Sequence, residues 1–352
     1  GALSRFGSKE IMAFFEQLGI RLKEEDHGRM FPVTDKAKTV VEALIGEVKR
    51  SGVRIRTRCK AVKVLYEKGR TAGVLLENGE RLAGRAVIIA TGGKSVPQTG
   101  STGDGYAWAE EAGHTITELY PTEVPITSDE EWIRSRELQG LTLRDVALTV
   151  RDGRGKAVVR HRGDMIFTHF GLSGPAALRC SGFVVRALRD GQGPVTVEID
   201  WFPDTPEDAL LAQWSGWARS EPRKTLRKLL KTALPERAVP LMLRLAEADG
   251  GKEAANVAKN AWAKLARLAK AFPVRASGTL PLEAAFITGG GVSVKEVDPK
   301  TMGSRLMPGL YFCGEILDVH GYTGGYNITA AFSTGHAAGT AAALECRGES
   351  AH

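Results

Sequence analysis

Residues 308–339 constrain the fold of this chain more than any other stretch. They open with a short apolar run at 310–313, which has the length and composition of a buried parallel strand. The acidic residue Glu315 follows almost at once, and a loop rich in Gly, Tyr and His leads into a helix predicted over about 326–344. The stretch therefore predicts a buried strand, a glycine-rich turn and a helix of an α/β domain.

The start of that helix favours negative charge. The first backbone N–H groups of an α-helix have no partner within it, so those of Gly325, Tyr326 and Asn327 point outward at the positive end of the dipole. The Glu315 carboxylate can accept hydrogen bonds from sugar-like hydroxyls. Both properties suit a flavin nucleotide, which carries a ribityl chain and a pyrimidine edge. The alternative is a tightly packed strand, turn and helix without a ligand.

Two glycines inside the predicted helix need a physical reason. Gly335 and Gly339 each cost about 1 kcal/mol relative to Ala in a helix interior. We therefore expect the helix to approach a sheet or a ligand closely.

The composition is that of an ordinary globular protein of 352 residues, with 43% hydrophobic and 25% charged residues and room for two domains. The net charge of +7 suits anionic ligands, but the basic residues are spread thinly and are not interleaved with aromatic ones. We therefore expect no nucleic-acid partner. No run of about 18–20 apolar residues predicts a membrane span. The four cysteines lack metal-binding spacing, which favours free thiols in a cytoplasmic protein without a metal site.

The first third of the chain predicts helices at 8–19, with Ser8 as the N-cap, and at 34–50. Strands are predicted at 53–57, 61–66, 71–77, 80–83 and 86–90, with turns at 68–69 and at Asn78-Gly79.

The strand at 86–90 resembles the one at 310–313, because it too is wholly apolar and ends in glycines. Thr91, Gly92 and Gly93 follow it, and a helix is predicted at 106–112. A buried strand, a glycine turn and a helix start again offer N–H groups to an anion.

From residue 119 the pattern changes to short β-type segments, and residues 203–272 are strongly helical. We predict a dinucleotide-binding domain at 1–118 and 286–346, a β-rich insert at 119–202 and 273–285, and a helical subdomain at 203–272. We expect the subdomain to lie at the surface, with a small leucine core of its own and no contact with a cofactor.

Three segments together resemble a known family. They are ATGGKSVPQTGSTGDGYAWAEEAGH at 90–114, FTHFGLSGPAALRCS at 167–181, and the stretch from ITGGG to HAAG at 287–339. They resemble the BaiN-like, or aminoacetone-oxidase-like, FAD-dependent oxidoreductases of the glutathione-reductase-type flavoprotein superfamily. The resemblance covers nearly the whole chain. It implies FAD as cofactor and a Rossmann-like α/β domain with a β-barrel-like insert that carries a helical subdomain.

The resemblance also implies roles for individual residues. Gly314 and Glu315 would line the ribityl and pyrophosphate region, and Thr91, Gly92 and Gly93 would pass near the FAD. The residues implied to contact the flavin from the helix start are Gly324, Gly325, Tyr326, Asn327 and Ile328.

One departure from the family pattern lies at the start of the chain. Such proteins begin with a strand, a G-x-G-x-x-G turn and a helix, whereas this sequence begins GALSRFGSKE. We therefore expect a dinucleotide-binding domain that is incomplete at its N-terminus, in a fragment of a longer protein. We expect that fragment to bind FAD weakly or not at all.

The leading hypothesis is an FAD-dependent oxidoreductase that acts on a small or medium organic substrate, an amine, ketone or enone, with NAD(P)H as a transient reductant. The catalytic candidates are His320, Tyr322, Tyr326 and His169. The alternative for each is a structural hydrogen-bonding role. The competing hypothesis is a non-catalytic nucleotide-binding or scaffold module that has lost FAD binding.

Overall fold

A computed structural model describes residues 1–25, 28–191, 193–321 and 324–348. The chain divides into two compact units, Gly1–Leu119 with Ile287–His352, and Tyr120–Phe286. Both units contain helices and strands, so the chain has the predicted mixed α/β fold. Among the described residues, no helix combines the length and the apolar character needed to cross a lipid bilayer.

The elements are numbered in chain order. The α-helices are α1 (Ala2–Arg5), α2 (Ser8–Gln17), α3 (Ala37–Arg50), α4 (Asp104–Glu111), α5 (Glu131–Arg134), α6 (Pro175–Arg189), α7 (Glu207–Ser220), α8 (Leu226–Ala233), α9 (Val239–Leu245), α10 (Lys259–Lys270) and α11 (Gly324–Arg347). The strands are β1 (Leu22–Glu25), β2 (Arg29–Pro32), β3 (Ala61–Glu67), β4 (Arg70–Leu76), β5 (Arg81–Ala83), β6 (Val87–Ile89), β7 (Tyr120–Thr122), β8 (Ile126–Thr127), β9 (Thr142–Arg151), β10 (Ala157–Phe167), β11 (Gly171–Ser173), β12 (Val195–Asp200), β13 (Phe272–Ala276), β14 (Gly278–Thr279), β15 (Ile287–Gly289) and β16 (Leu310–Phe312).

The first unit is built around the two apolar strands predicted from the sequence. β6 and β16 pair in parallel, with Tyr311 opposite Ile88 and Phe312 opposite Ile89. Parallel pairing places both carboxyl ends at the same edge, so the loops that follow the two strands lie together. Helix α11 packs on both strands, and its Ala338 is fully buried.

The three predicted strands after residue 60 are confirmed as the antiparallel order β3-β4-β5. The first turn joins them through Lys68 and Gly69, with φ values of 52° and 74°. Two consecutive residues in this left-handed region are typical of tight hairpin turns, which accounts for the glycine.

Three local predictions in this unit are wrong. Residues 53–57 are not a strand, and Val53 and Ile55 are 56% and 49% exposed. A strand needs a neighbouring strand to hydrogen-bond its backbone N–H and C=O groups. The described structure shows for this segment a side-chain ion pair instead, in which Arg56 lies 2.7 Å from Glu80. The N-cap of α2 is Gly7 instead of Ser8. The apolar pattern of the helix at 34–50 predicts that Val40, Val41, Leu44 and Val48 are buried, but no residue of α3 is fully buried.

The second unit is organised by a seven-stranded antiparallel sheet with the order β13-β12-β9-β10-β11-β8-β14. Its two edge strands follow one another in the chain, because β13 ends at Ala276 and β14 begins at Gly278. Residues two apart lie within about 7 Å, so the sheet must curl until its edges come together. This gives the barrel-like form implied by the resemblance.

Helices α7–α10 occupy the region predicted as a helical subdomain. Trp214 and Trp262 are buried there, and they belong to the same apolar cluster as Phe167 and Phe272 of the sheet. The prediction of a separate leucine core is therefore wrong, and Leu245 is 39% exposed. Helix α10 contacts both β12 and β13 directly, so the helices and the sheet share one core.

Candidate functional site

Three chain segments of the first unit meet at the carboxyl ends of its buried strands. They are residues 90–95 after β6, residues 288–292 at the end of β15, and residues 313–318 after β16. The backbone of Val292 donates to the carbonyl of Ile316 at 2.8 Å, which holds the second and third segments together. The result is a small polar cluster where a parallel α/β arrangement commonly binds its ligand.

Thr288 is the centre of this cluster. Its side chain is 1% exposed, and its Oγ1 accepts backbone hydrogen bonds from Lys94 at 2.8 Å and from Ser95 at 3.1 Å. The Ser95 hydroxyl lies 2.6 Å from the same oxygen. One threonine hydroxyl therefore satisfies the buried N–H groups of the loop that follows β6.

Glu315 is held by the same residue. The backbone N–H of Thr288 donates to Glu315 Oε1 at 2.7 Å, and Ser95 Oγ lies 3.5 Å from that oxygen. Among the described residues, the other carboxylate oxygen, Oε2, has no hydrogen-bond partner within the protein. The carboxylate is thus oriented through one oxygen while the second can accept hydrogen bonds from a ligand.

Gly93 is required by the closeness of these groups. A Cβ on Gly93 would lie 2.3 Å from Thr288 Oγ1 and 2.7 Å from Glu315 Oε1, closer than van der Waals contact allows. The glycine lets the backbone of the β6 loop pass directly against the threonine and the carboxylate. The structure thus brings Gly93 and Glu315 together, and Thr91 and Gly92 directly precede Gly93 on the loop after β6.

Two hydroxyls near this cluster are buried and have no hydrogen-bond partner among the described residues. They are Thr91 Oγ1 and the phenol oxygen of Tyr106, a residue of α4 that is 7% exposed. A Cβ on Gly105 would lie 2.3 Å from Thr91 Oγ1, so glycine is needed where α4 meets the loop. Burial raises the pKa of Tyr106, and the nearby charges of Glu315 and Asp318 raise it further. The phenol is therefore a neutral hydrogen-bond donor.

Gly321 lies against the first turn of α11. Gly321 donates its backbone N–H to Asn327 Oδ1 at 2.8 Å. A Cβ on Gly321 would lie 2.4 Å from the Tyr326 Cβ, so this glycine permits the close approach. The side chains of two residues in this first turn are exposed to solvent: Tyr326 is 63% exposed and Ile328 is 59% exposed. The Asn327 side chain thus holds the backbone of Gly321, while Tyr326 and Ile328 remain accessible.

Helix α11 also contacts the turn that carries Glu315. The backbone N–H of Gly314 donates to Thr334 Oγ1 at 3.0 Å, and Gly314 has a φ of 77°. The predicted packing role of Gly335 and Gly339 is not seen, because a Cβ on either would meet no described heavy atom within 4 Å. The small residues of α11 that are buried in one apolar cluster with Ile89 and Phe312 are Ala337, Ala338, Ala341 and Ala342.

The remaining predicted residues are placed as follows. His320 is partly exposed in the loop before α11, Gly325 is exposed at the helix start, and Gly324 is the first helical residue. Tyr322 lies outside the described residues. His169 belongs to the second unit, where it is exposed in the turn between β10 and β11. Four residues of the site were not predicted from the sequence: Thr288, Ser95, Tyr106 and Gly321. The signal that could have pointed to Thr288 is the run Gly289-Gly290-Gly291, which directly follows it.

The residues at the strand ends fit a dinucleotide cofactor. A dinucleotide carries sugar hydroxyls, which donate and accept hydrogen bonds, and carbonyl and phosphate oxygens, which accept them. Glu315 Oε2 is an acceptor, and Thr91 and Tyr106 offer buried hydroxyls whose hydrogen-bonding capacity is unused by the described residues. Buried hydroxyls without partners are uncommon in folded proteins, so a ligand group that meets them has a physical basis.

Comparison with known proteins gives a match along nearly the whole chain. The family model described as the HI0933-like protein Rossmann domain matches residues 1–341. The 3-dehydro-bile acid delta(4,6)-reductase of Clostridium scindens is 31% identical over 97% of this chain and 81% of its own. The ribosomal RNA dihydrouridine synthase of Escherichia coli is 31% identical over 95% of this chain and 78% of its own. Mycobacterium smegmatis Sdh1 in complex with UQ1 has a TM-score of 0.41 at 17% identity; the match covers 96% of this chain and 54% of that one.

Proposed function

This chain belongs to the HI0933-like family of Rossmann-domain, FAD-dependent oxidoreductases, and we propose that it reduces a carbon–carbon double bond conjugated to a carbonyl group. Of the three substrate classes considered from the sequence, this proposal selects the enone. Membership of an enzyme family also favours a catalytic protein over a non-catalytic scaffold.

The names of the two relatives support this choice. A delta(4,6)-reductase of a 3-dehydro-bile acid, by its name, acts on double bonds near a 3-oxo group. A dihydrouridine synthase, by its name, makes the base in which the uracil 5,6 double bond, conjugated to the 4-oxo group, is saturated. Both are reductions of a double bond conjugated to a carbonyl. This shared chemistry is the observation that carries the proposal.

Different residues of the chain would bind the cofactor and act on the substrate. Glu315, Thr91 and Gly93 at the strand ends would hold the dinucleotide, with Thr288 fixing the carboxylate. Bound FAD supplies hydride chemistry. NAD(P)H, as a transient reductant, would supply the electrons.

Reduction of such a double bond also needs a proton, which the protein must deliver at the carbon next to the carbonyl. Tyr326 is the favoured donor, because its phenol is exposed at the start of α11. The N–H groups of the same helix start would favour negative charge on the substrate carbonyl oxygen. Tyr322, His320 and His169 remain the other candidates for proton delivery.

The test offers matched substrates to the FAD-loaded enzyme under anaerobic conditions with NADPH or NADH. A 4-en-3-oxo steroid should gain two hydrogen atoms by mass spectrometry, while the saturated 3-oxo steroid should not change. In a separate aerobic assay without NAD(P)H, aminoacetone should yield no hydrogen peroxide above background. Oxidation of aminoacetone without reduction of the enone would overturn the proposal in favour of an amine oxidase.

A second candidate substrate, uracil within RNA, is favoured by the charge of the second unit. That unit carries 25 Lys and Arg residues against 20 Asp and Glu residues. On α6, the guanidinium of the exposed Arg186 lies 4.6 Å from the centroid of the Phe183 ring. Arginine beside an aromatic ring is a surface on which phosphates and bases can bind.

Measurement of RNA binding distinguishes the two candidate substrates. If RNA is the substrate, Arg186→Glu should weaken binding of a uridine-rich RNA more than Arg219→Glu, which makes the same charge change elsewhere in the unit. Affinity should also fall with added salt. Equal effects of the two variants, or no RNA binding, would leave the small-molecule enone as the substrate.

A further inference from the structure

Ser304, in the segment before β16, holds a tight turn with its hydroxyl group. Its Oγ accepts the backbone N–H of Leu306 at 3.0 Å and that of Met307 at 2.8 Å. A hydroxyl oxygen has two lone pairs, so both are occupied and only the hydroxyl hydrogen is left to donate. The atom placed to accept that hydrogen is Nε2 of His114, which lies 2.6 Å from Oγ.

These hydrogen bonds fix the protonation state of His114. Its side chain is fully buried, and its Nε2 must carry no hydrogen if it accepts from Ser304. In a neutral imidazole the hydrogen is then on Nδ1, which faces Glu296 Oε2 at 3.3 Å. The imidazole that fits this arrangement is therefore neutral, with its hydrogen on the side of Glu296.

A protonated imidazole would reverse the direction of the hydrogen bond to Ser304. Both ring nitrogens then donate, and the buried ring keeps Nε2 against the serine hydroxyl. The Nε2 hydrogen takes one lone pair of Oγ and displaces the N–H of Leu306 or Met307. Protonation of the ring thus removes one of the two hydrogen bonds that hold the turn.

Glu296 supplies the charge that lets the buried ring accept a proton. Thr115 donates to this carboxylate from its backbone N–H and from its hydroxyl, both at 2.8 Å, and these bonds lower the pKa of Glu296. The carboxylate therefore stays ionised at a pH where the imidazole becomes protonated, and it then binds the imidazolium through Nδ1.

The other groups near the ring do not supply charge. β16 presents the ring of Phe312, whose centroid lies 4.8 Å from that of the imidazole. The guanidinium of Arg305 is directed to the carbonyl of Val297 at 3.4 Å. Burial lowers the pKa of His114, and among the described residues Glu296 is the charged group that raises it in part. The ring therefore responds to pH through one carboxylate and one hydroxyl.

We propose that His114 and Ser304 form a pH-sensitive latch on the turn at 304–307, closed while the imidazole accepts from the serine hydroxyl and opened when the imidazolium donates to it. The turn leads directly into β16, because Ser304 donates its own backbone N–H to the carbonyl of Leu310 at 2.8 Å. The latch does not rest on the proposed function, since none of its groups belongs to the candidate cofactor site.

Hydrogen exchange of single backbone amides, followed by NMR, tests the latch. The protection of each amide, relative to its intrinsic exchange rate at the same pH, is compared at about pH 7.5 and about pH 4.5. The amides of Leu306 and Met307 should lose about three- to tenfold in protection at the lower pH, the effect of one net hydrogen bond. The amide of Ser304, bonded to Leu310, is the reference and should keep its protection.

His114→Gln is the control for the titration, because its side-chain carbonyl accepts a hydrogen bond at any pH. In this variant Leu306 and Met307 should be equally protected at both pH values. Unchanged protection of these amides in the wild type, an equal loss at Ser304, or a pH dependence that persists in His114→Gln would overturn the inference.

The tautomer of the wild-type imidazole gives a second measurement that needs no variant. At about pH 7.5 the nitrogen chemical shifts of His114 should show a hydrogen on Nδ1 and none on Nε2. A hydrogen on Nε2 at that pH would contradict the latch, because Ser304 would then be the acceptor already in the neutral state.

Discussion

The hydroxyl oxygens of Thr288 and Ser95 lie 2.6 Å apart, although the two residues are separated by 193 positions in the sequence. Through this contact the loop after β6 is tied to the end of β15, and the Thr288 backbone carries the connection on to Glu315. Three distant parts of the chain therefore meet at one threonine. The candidate cofactor site depends on that residue for its shape.

Replacing Thr288 by Val should lower the free energy of unfolding by about 2–4 kcal/mol, because the backbone N–H groups of Lys94 and Ser95 lose their buried acceptor. Urea denaturation measures this change. Thr288→Ser keeps the acceptor oxygen and should cost much less. A valine variant as stable as the wild type would show that water or another group replaces the hydroxyl.

The buried strands were predictable from sequence because an apolar run bounded by glycines has few other folds available to it. The position of Glu315 at the carboxyl end of a buried strand was predictable as well, since it lies shortly after such a strand in the sequence. Thr288 and Ser95 were not, because an isolated hydroxyl residue carries no periodic signal and their contact joins positions far apart. Residues 53–57 show the opposite error, a strand that was predicted but is not formed. Their alternating pattern favours a strand, but they have no neighbouring strand with which to pair in the described structure.

Gly335→Ala and Gly339→Ala should each raise the free energy of unfolding by about 0.5–1 kcal/mol, because alanine favours the helix and both positions have open space. Thermal unfolding of the FAD-free protein measures this gain. If a ligand approaches the helix at these glycines, the same variants will bind FAD more weakly. Destabilisation of the FAD-free protein would contradict the open space seen at both positions.

Because of His114, the free energy of unfolding should decrease as the pH drops below about 6.5, the ordinary pKa of histidine. Burial lowers the pKa of His114, although Glu296, whose Oε2 lies 3.3 Å from Nδ1, raises it in part. The unfolded chain then binds a proton at a pH where the folded protein does not. Acidification therefore stabilises the unfolded state relative to the folded state. The other close contacts of the imidazole are Ser304, at 2.6 Å from Nε2, and the ring of Phe312.

The difference in unfolding free energy between the wild type and His114→Gln should therefore change between about pH 7 and pH 5, with the wild type losing stability faster. Using the difference cancels the titration of groups common to both proteins. Parallel stability curves would mean that His114 titrates equally in the folded and unfolded states.

The affinity for FAD of Glu315→Gln, set against that of Glu296→Gln, tests the central claim most directly. Both carboxylates accept a backbone N–H in the first unit, from Thr288 at 2.7 Å and from Thr115 at 2.8 Å, so the substitutions are chemically matched. If the cofactor site lies at the ends of β6 and β16, Glu315→Gln should raise the dissociation constant about 10- to 100-fold, the effect of one charge-assisted hydrogen bond, and Glu296→Gln should leave it unchanged. Equal FAD affinity in Glu315→Gln and the wild type would place the flavin elsewhere and contradict the account.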